Sequence, residues 1–186
     1  MLPSPAGPAD AVVAFTAHHV VAAGVDAGWV RRHLPEGDLG APMKAPFLAL
    51  LGGRLGAEPG MVDMVLVAPP GAEGTGMELQ PMEEDHPRLA RARRYRTGVR
   101  SFRQGPGLVV VGTGLAGRWE VSVEVDEAAR GRGVGKALAA AAPGLVPAGE
   151  PLFAQVSPGN VASLRCFLAA GYRPIGAEVL FLRSRR

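Results

Sequence analysis

Hydrophobic and polar residues alternate most cleanly between Trp119 and Asp126. Trp119, Val121, Val123 and Val125 are separated by Glu120, Ser122 and Glu124, a period of two that predicts a strand ending at Asp126. The period then changes. Val134, Ala137, Leu138, Ala141 and Leu145 recur at helical spacing, and Pro143 with Gly144 should end or fray that helix. A strand over 151–156 follows, then a helix over 160–170 with Val161, Leu164 and Leu168 on one face and Gly171 as its stop, and a closing strand over 177–182. Ahead of the alternating strand, 99–104 and 108–113 form a hairpin through Gly105, Pro106 and Gly107. A helix over 86–96 follows the acidic run Glu83, Glu84, Asp85, and 77–81 can be a strand.

The pattern is weaker nearer the amino terminus. Short strands are expected over 12–15 and 20–23, helices over 26–33 and 47–55, and a strand over 61–67. Gly52 and Gly53 weaken the second of these helices. Pro69, Pro70, Gly71, Gly74 and Gly76 punctuate a stretch without apolar periodicity, which predicts a linker between an amino-terminal α/β region, residues 1–76, and a second region, 77–186. The element order of the second region is that of an α+β fold.

Composition narrows the class. At 186 residues and 47% hydrophobic, the chain can bury one sizeable core or a core with an appendage. No apolar run approaches the roughly 18 residues of a membrane helix. The opening residues lack a secretory signal, and a single cysteine, Cys166, excludes an internal disulfide, so a cytoplasmic location is expected. A net charge of +3 is too small to imply nucleic acid. The arginines at 88, 91, 93, 94, 96, 100 and 103 form a cluster, but stacking aromatics beyond Tyr95 and Phe102 are missing, and a solvated helix face accounts for it. His18, His19, His33 and His86 have no ligand spacing, and no metal is expected.

Between the alternating strand and its helix stand Arg130, Gly131, Arg132, Gly133, Val134, Gly135 and Lys136. Free backbone N–H groups converge there at the positive end of a helix, glycines permit close approach to an anion, and the basic side chains add charge-assisted contacts. A glycine turn with solvated arginines is the plain alternative. A nucleoside-triphosphate P-loop is excluded, because Arg130 and Ala137 stand where that loop needs Gly and Ser or Thr. Gly112, Gly114 and Gly117 match GxGxxG, but strand periodicity follows them where a dinucleotide site needs a helix, which makes them a turn between antiparallel strands.

Val123-x-Val125 followed by Arg130-x-x-Gly133-x-Gly135 resembles the pyrophosphate loop of the GNAT acetyltransferases, and Asn160-x-x-Ser163-x-x-x-Phe167 before Gly171-Tyr172 resembles that family's second signature. The resemblance covers 77–182. It implies a mixed central sheet flanked by helices, acetyl-coenzyme A as acyl donor, and transfer to an amine of a small molecule, peptide or protein. It places Val123 and Val125 along the pantetheine arm and residues 130–136 at the pyrophosphate. Asn160 would contact the coenzyme arm, with Ser163 and Phe167 on the same helix face. Asn160 can equally be an ordinary helix N-cap.

Direct transfer needs a neutral amine, a polarised thioester carbonyl and a departing thiolate. The backbone N–H near Val123 is expected to polarise the carbonyl, and Glu120 or Glu124 to take the amine proton; a solvated strand face is the alternative for both. Many relatives place a tyrosine where Phe167 stands, so the usual general acid is missing. Tyr172 and Tyr95 are substitutes, although packing roles suit them better, and Cys166 is expected to be a core residue. The competing expectation is a coenzyme A binding module without turnover. For residues 1–76 three roles stand open: packing against the cleft, covering it, or forming a dimer contact.

Overall fold

The computed structural model describes residues 1–68, 75 and 77–183. The expected linker glycines and prolines at 69, 70, 71, 74 and 76 lie outside the described residues. Among the described residues, nine strands form a single mixed sheet: β1 (Ala9–Phe15), β2 (His18–Ala22), β3 (Asp63–Val67), β4 (Gln80–Pro81), β5 (Thr97–Gln104), β6 (Gly107–Thr113), β7 (Trp119–Val125), β8 (Leu152–Val156) and β9 (Arg173–Leu182). Their spatial order is β2-β1-β9-β3-β8-β7-β6-β5-β4. The helices are α1 (Ala27–His33), α2 (Ala45–Leu55), α3 (Pro87–Tyr95), α4 (Val134–Ala141) and α5 (Val161–Ala169). The expected mixed sheet flanked by helices is what the chain forms.

Side-chain alternation sorts the helices onto two faces. Val109, Val111, Val121, Ala154 and Leu66 bury one face of the sheet under Leu138 and Ala139 of α4 and Phe167 of α5. On that same face Val179 and Phe181 of β9 pack with Val30 of α1 and Phe47, Leu48 and Leu51 of α2. The opposite face carries α3, whose Leu89 and Ala92 cover Leu108 and Val110. Burying these apolar side chains, at about 25 cal/mol per Å², is what holds both layers to the sheet.

Local chemistry explains most boundaries. Asp26 caps α1 by accepting from Trp29 N–H at 3.0 Å, and His86 caps α3 by accepting from Arg88 N–H at 3.1 Å. Despite its two glycines α2 persists, because Gly52 lets the helix approach its own exit: a Cβ there would lie 2.7 Å from the Ala57 carbonyl oxygen. The α-helical part of α4 stops at Ala141 and a 3-10 turn carries it to Leu145, as Pro143 without an N–H requires. The strand expected over 77–81 shrinks to Gln80–Pro81, an edge pair against Arg103 and Phe102. The closing strand is longer than expected, since Arg173 to Gly176 also pair with β3.

Three strands of the amino-terminal region, β1, β2 and β3, belong to this sheet. β1 lies along β9, with Val12 opposite Val179. β3 lies between β8 and β9, pairing antiparallel with both.

Candidate active site

The pair β7 and β8 is parallel, and its register covers only Trp119 opposite Leu152, Glu120 opposite Phe153 and Val121 opposite Ala154. Beyond that point the strands part. β7 continues to Val125 along β6 alone, and β8 continues to Val156 along β3 alone. The result is a split in the sheet, closed at Trp119 and open toward Val125.

Backbone polarity decides what the split offers. Asp126 N–H donates to the Pro106 carbonyl at 2.9 Å on the β6 side. Peptide groups alternate sides along a strand, so those of Val121 face β8 in the ladder and those of Val123 and Val125 point into the split. The Val125 carbonyl accepts from Arg130 Nε at 3.2 Å, which draws the following loop over the mouth. Unpaired strand groups of this kind bind an extended amide-bearing chain as a further strand would.

At the mouth the chain passes through a 3-10 turn over Glu127–Ala129 and enters α4 through Gly131 and Gly133. Their φ values are +76° and +82°, the left-handed region that glycine adopts without strain. A Cβ at either would meet no described atom within 4 Å, so conformation rather than crowding calls for glycine there. Ala137 N–H donates to the Gly133 carbonyl at 3.1 Å, and the N–H groups of Val134, Gly135 and Lys136 precede that bond and lie at the positive end of α4. Arg130, Arg132 and Lys136 are exposed around it. Gly135 has a different role, because a Cβ there would lie 3.0 Å from Cys166 Sγ, and its absence lets α4 and α5 approach. Cys166 is half-buried, and burial pushes its thiol up.

On α5, Asn160 is the N-cap, its Oδ1 accepting from Ser163 N–H at 3.1 Å. Phe167 is buried in the core with Tyr172 edge-on at 5.0 Å. The Tyr172 hydroxyl donates to the Ala139 carbonyl at 3.2 Å, and burial pushes its pKa far up, which makes it a core hydroxyl already engaged by the backbone of α4. Tyr95 lies under Arg91, 5.7 Å from the guanidinium carbon to the ring centroid.

The α3 face of β7 carries Glu120, Ser122 and Glu124, and these are not a solvated row. Glu120 is 2% exposed. Its Oε2 accepts from Arg96 Nε at 2.9 Å, its Oε1 from Arg118 Nε at 2.9 Å, and Leu115 N–H adds a bond at 3.3 Å. Arg96 also donates to Ser122 Oγ at 3.3 Å and to Gln155 Oε1 at 3.2 Å, while Arg118 reaches Glu178 Oε1 at 2.6 Å. Room for the Glu120 carboxylate comes from Gly114, where a Cβ would stand 2.2 Å from it. The GxGxxG match thus serves a turn that accommodates a buried carboxylate. Glu124 binds Arg88 of α3. Burial raises its pKa, but the Arg88 hydrogen bond and charge outweigh this and hold the carboxyl below its ordinary value.

Arg88 and Arg96 are therefore ion-pair partners of the β7 carboxylates, not members of a solvated helix face. Sequence reasoning passed over Arg118, Glu178 and Asp63. The last is half-buried and has no hydrogen bond or ion pair among the described residues. Burial raises its pKa and the charge of Arg91 partly offsets this. A cavity of about 620 Å³ lies elsewhere, at the β4 edge, lined by Glu78, Gln80, Glu83, Glu84 and Arg103. It holds none of the residues of the split.

No protein-family model matches the chain, and no curated protein matches it. Among solved structures, the chain is similar to a GNAT-family acetyltransferase from Colwellia psychrerythraea at 12% identity and a TM-score of 0.40, over 75% of this chain and 63% of that one. It is also similar to a GCN5-related N-acetyltransferase from Kribbella flavida at 18% identity and a TM-score of 0.48, over 76% and 65%. The chain spans less than two thirds of either protein's length. No helix among the described residues is long and apolar enough to cross a membrane.

Proposed function

We propose that the protein is an N-acyltransferase that takes an acetyl group from acetyl-coenzyme A and transfers it directly to an amine. The observation that carries this is the split between β7 and β8 with the glycine-bearing start of α4 at its mouth. The inward-facing peptide groups of Val123 and the N–H of Val125, whose carbonyl accepts from Arg130, suit the amides of a pantetheine arm. The N–H groups from Arg132 to Lys136, with Arg130, Arg132 and Lys136 around them, suit a pyrophosphate. Asn160 and Ser163 border the arm from α5. The N–H near Val123 would polarise the thioester carbonyl, the geometry expected of an oxyanion donor. Of the two carboxylates on β7, Glu124 is the more exposed and carries one guanidinium partner, whereas both oxygens of Glu120 are engaged, which favours Glu124 for contact with an acceptor and Glu120 for holding the sheet.

A second reading, a coenzyme A binding module without turnover, draws support from Phe167, which is buried and holds no proton where many members of the resembled family carry a tyrosine. A thiol of pKa about 8.5 leaves without help, and so the first reading is preferred.

Calorimetry with acetyl-coenzyme A tests the site. Arg132→Glu with Lys136→Glu changes two exposed side chains and leaves the core intact, and the expected result is binding by the wild type that weakens at least about tenfold in the variant, the scale of two lost charge-assisted contacts. Absence of binding by the folded wild type would end the acyltransferase reading.

A further inference from the structure

The two banks of the split carry different carboxylates. Counting on from Val121 opposite Ala154, Glu124 is level with Ser157; counting from Met64 opposite Val156, so is Asp63. By this count the two residues lie at the same level on opposite sides of the split, Glu124 on the strand that borders it and Asp63 one strand back, on β3 behind β8. They share a face. Glu178 is the register partner of Asp63 on β9, and Arg118 joins Glu178 to Glu120 on the α3 side. Arg91 of α3 acts electrostatically on Asp63, as Arg88 of the same helix binds Glu124.

The partners differ. Glu120 has two guanidinium groups, Glu124 has one, and Glu178 has one on Oε1 with Oε2 buried and unpartnered. Asp63 is the carboxylate of this set with no hydrogen bond or ion pair among the described residues, and it keeps partial exposure. Gln155, on the strand between Asp63 and the split, has its amide oxygen taken by Arg96 and its Nε2 buried without a partner. Unmet polar groups on both strands that flank β3 mark this bank as built for something beyond the sheet.

Granting acyl transfer as proposed above, we propose that Asp63, supplied by the amino-terminal region, is the base that receives the acceptor's proton, with the buried Glu178 of β9 behind it adding negative charge. The acceptor arrives as R–NH3+ and gives one proton to the Asp63 carboxylate. The freed nitrogen pair forms the N–C bond at the thioester carbonyl carbon, and the C–S bond breaks with its electrons on sulfur. The second proton lost by nitrogen goes to the coenzyme thiolate, giving the free thiol, and Asp63 returns its proton to water. Two neighbouring carboxylates select a cationic amine over a neutral or anionic acceptor. The groups that bear on Asp63 are Arg91 on α3, Glu178 on β9 and, through Glu178, Arg118. Burial raises the Asp63 carboxyl, which improves it as a base.

The test is thiol release from acetyl-coenzyme A with spermidine, a lysyl peptide and tyramine as acceptor probes, for wild type, Asp63→Asn and Asp63→Glu. Calorimetry of acetyl-coenzyme A is run beside it. The expected result is that Asp63→Asn keeps donor binding and melting temperature but loses about 100-fold or more in kcat/KM. The acidic limb of the pH profile should vanish with it, and Asp63→Glu should restore part of both. Donor binding and turnover in Asp63→Asn with an unchanged acidic limb would overturn the assignment of Asp63 and leave acyl transfer standing. Donor binding without turnover of any probe by the wild type would overturn both.

Discussion

The two banks of the split are built in opposite ways. On one side β5, β6 and β7 follow one another in the chain through short turns, and each pairs with its neighbour in sequence. On the other side β8 lies against β3 and β3 against β9, three strands drawn from distant parts of the chain. The first bank rests on contacts local in sequence, whereas the second needs contacts between distant parts of the chain, which cost more loop-closure entropy. What joins them is polar: Arg96 ties Glu120 and Ser122 of β7 to Gln155 of β8, and Arg118 ties Glu120 to Glu178 of β9. A cleft whose banks have separate origins needs such a tie at its closed end, and there the ionic groups are buried.

Removing the tie should have the largest effect. Glu120→Gln leaves the Arg96 and Arg118 guanidinium groups, 9% and 15% exposed, facing an uncharged amide, and should cost about 3–5 kcal/mol in urea unfolding. A loss below about 1 kcal/mol, the scale of an exposed pair, would mean that the network contributes little to the joint. Next comes the inserted strand. Leu66, fully buried in β3, should cost about 2–5 kcal/mol when changed to alanine, and the whole chain should melt in one shifted transition because β3 lies inside the sheet. A melt in two steps with the later one unmoved would show the banks to be independent folding units. The smallest effect belongs to the exposed rim. Glu124→Gln should cost less than about 1 kcal/mol, since its ion pair with Arg88 is about one-third exposed on both sides. The sign with pH follows from a folded pKa held below the ordinary 4.5: the wild type's advantage over the variant is present above that value and is lost as pH falls through the lower folded one. An advantage that grew on acidification would contradict the pairing.

The local bank was legible and the other was not. Period-two alternation marks β7, glycine placement marks the entry to α4, and the Asn160 cap marks α5, because each signal lies within a few residues of what it determines. Met61 to Val67 also reads as a strand, but nothing in those residues says that it will lie between two strands from the end of the chain. Arg96 and Glu120 are 24 positions apart, and Arg118 and Glu178 are 60 apart. Charges at such separations carry no pattern, and solvated side chains are the reasonable expectation for each taken singly. Asp63 was invisible for the same reason, since one acidic residue within the expected strand over 61–67 carries no sign of what it will face. Phe167 was legible as an apolar residue, and its burial in the core against Tyr172 required the packing of α5 on α4.

The tie among Arg96, Glu120 and Arg118 also has a mechanical meaning. Buried charges hold their geometry until they separate altogether, and salt screens them little. The closed end of the split is therefore pinned, and the parted ends of β7 and β8 are the two arms that lead away from it. A chain entering between Val123 and the end of β8, as proposed, would work at the long end of a lever held at its buried ionic end. Its fit is set by how far the arms bend, not by how far the strands come apart.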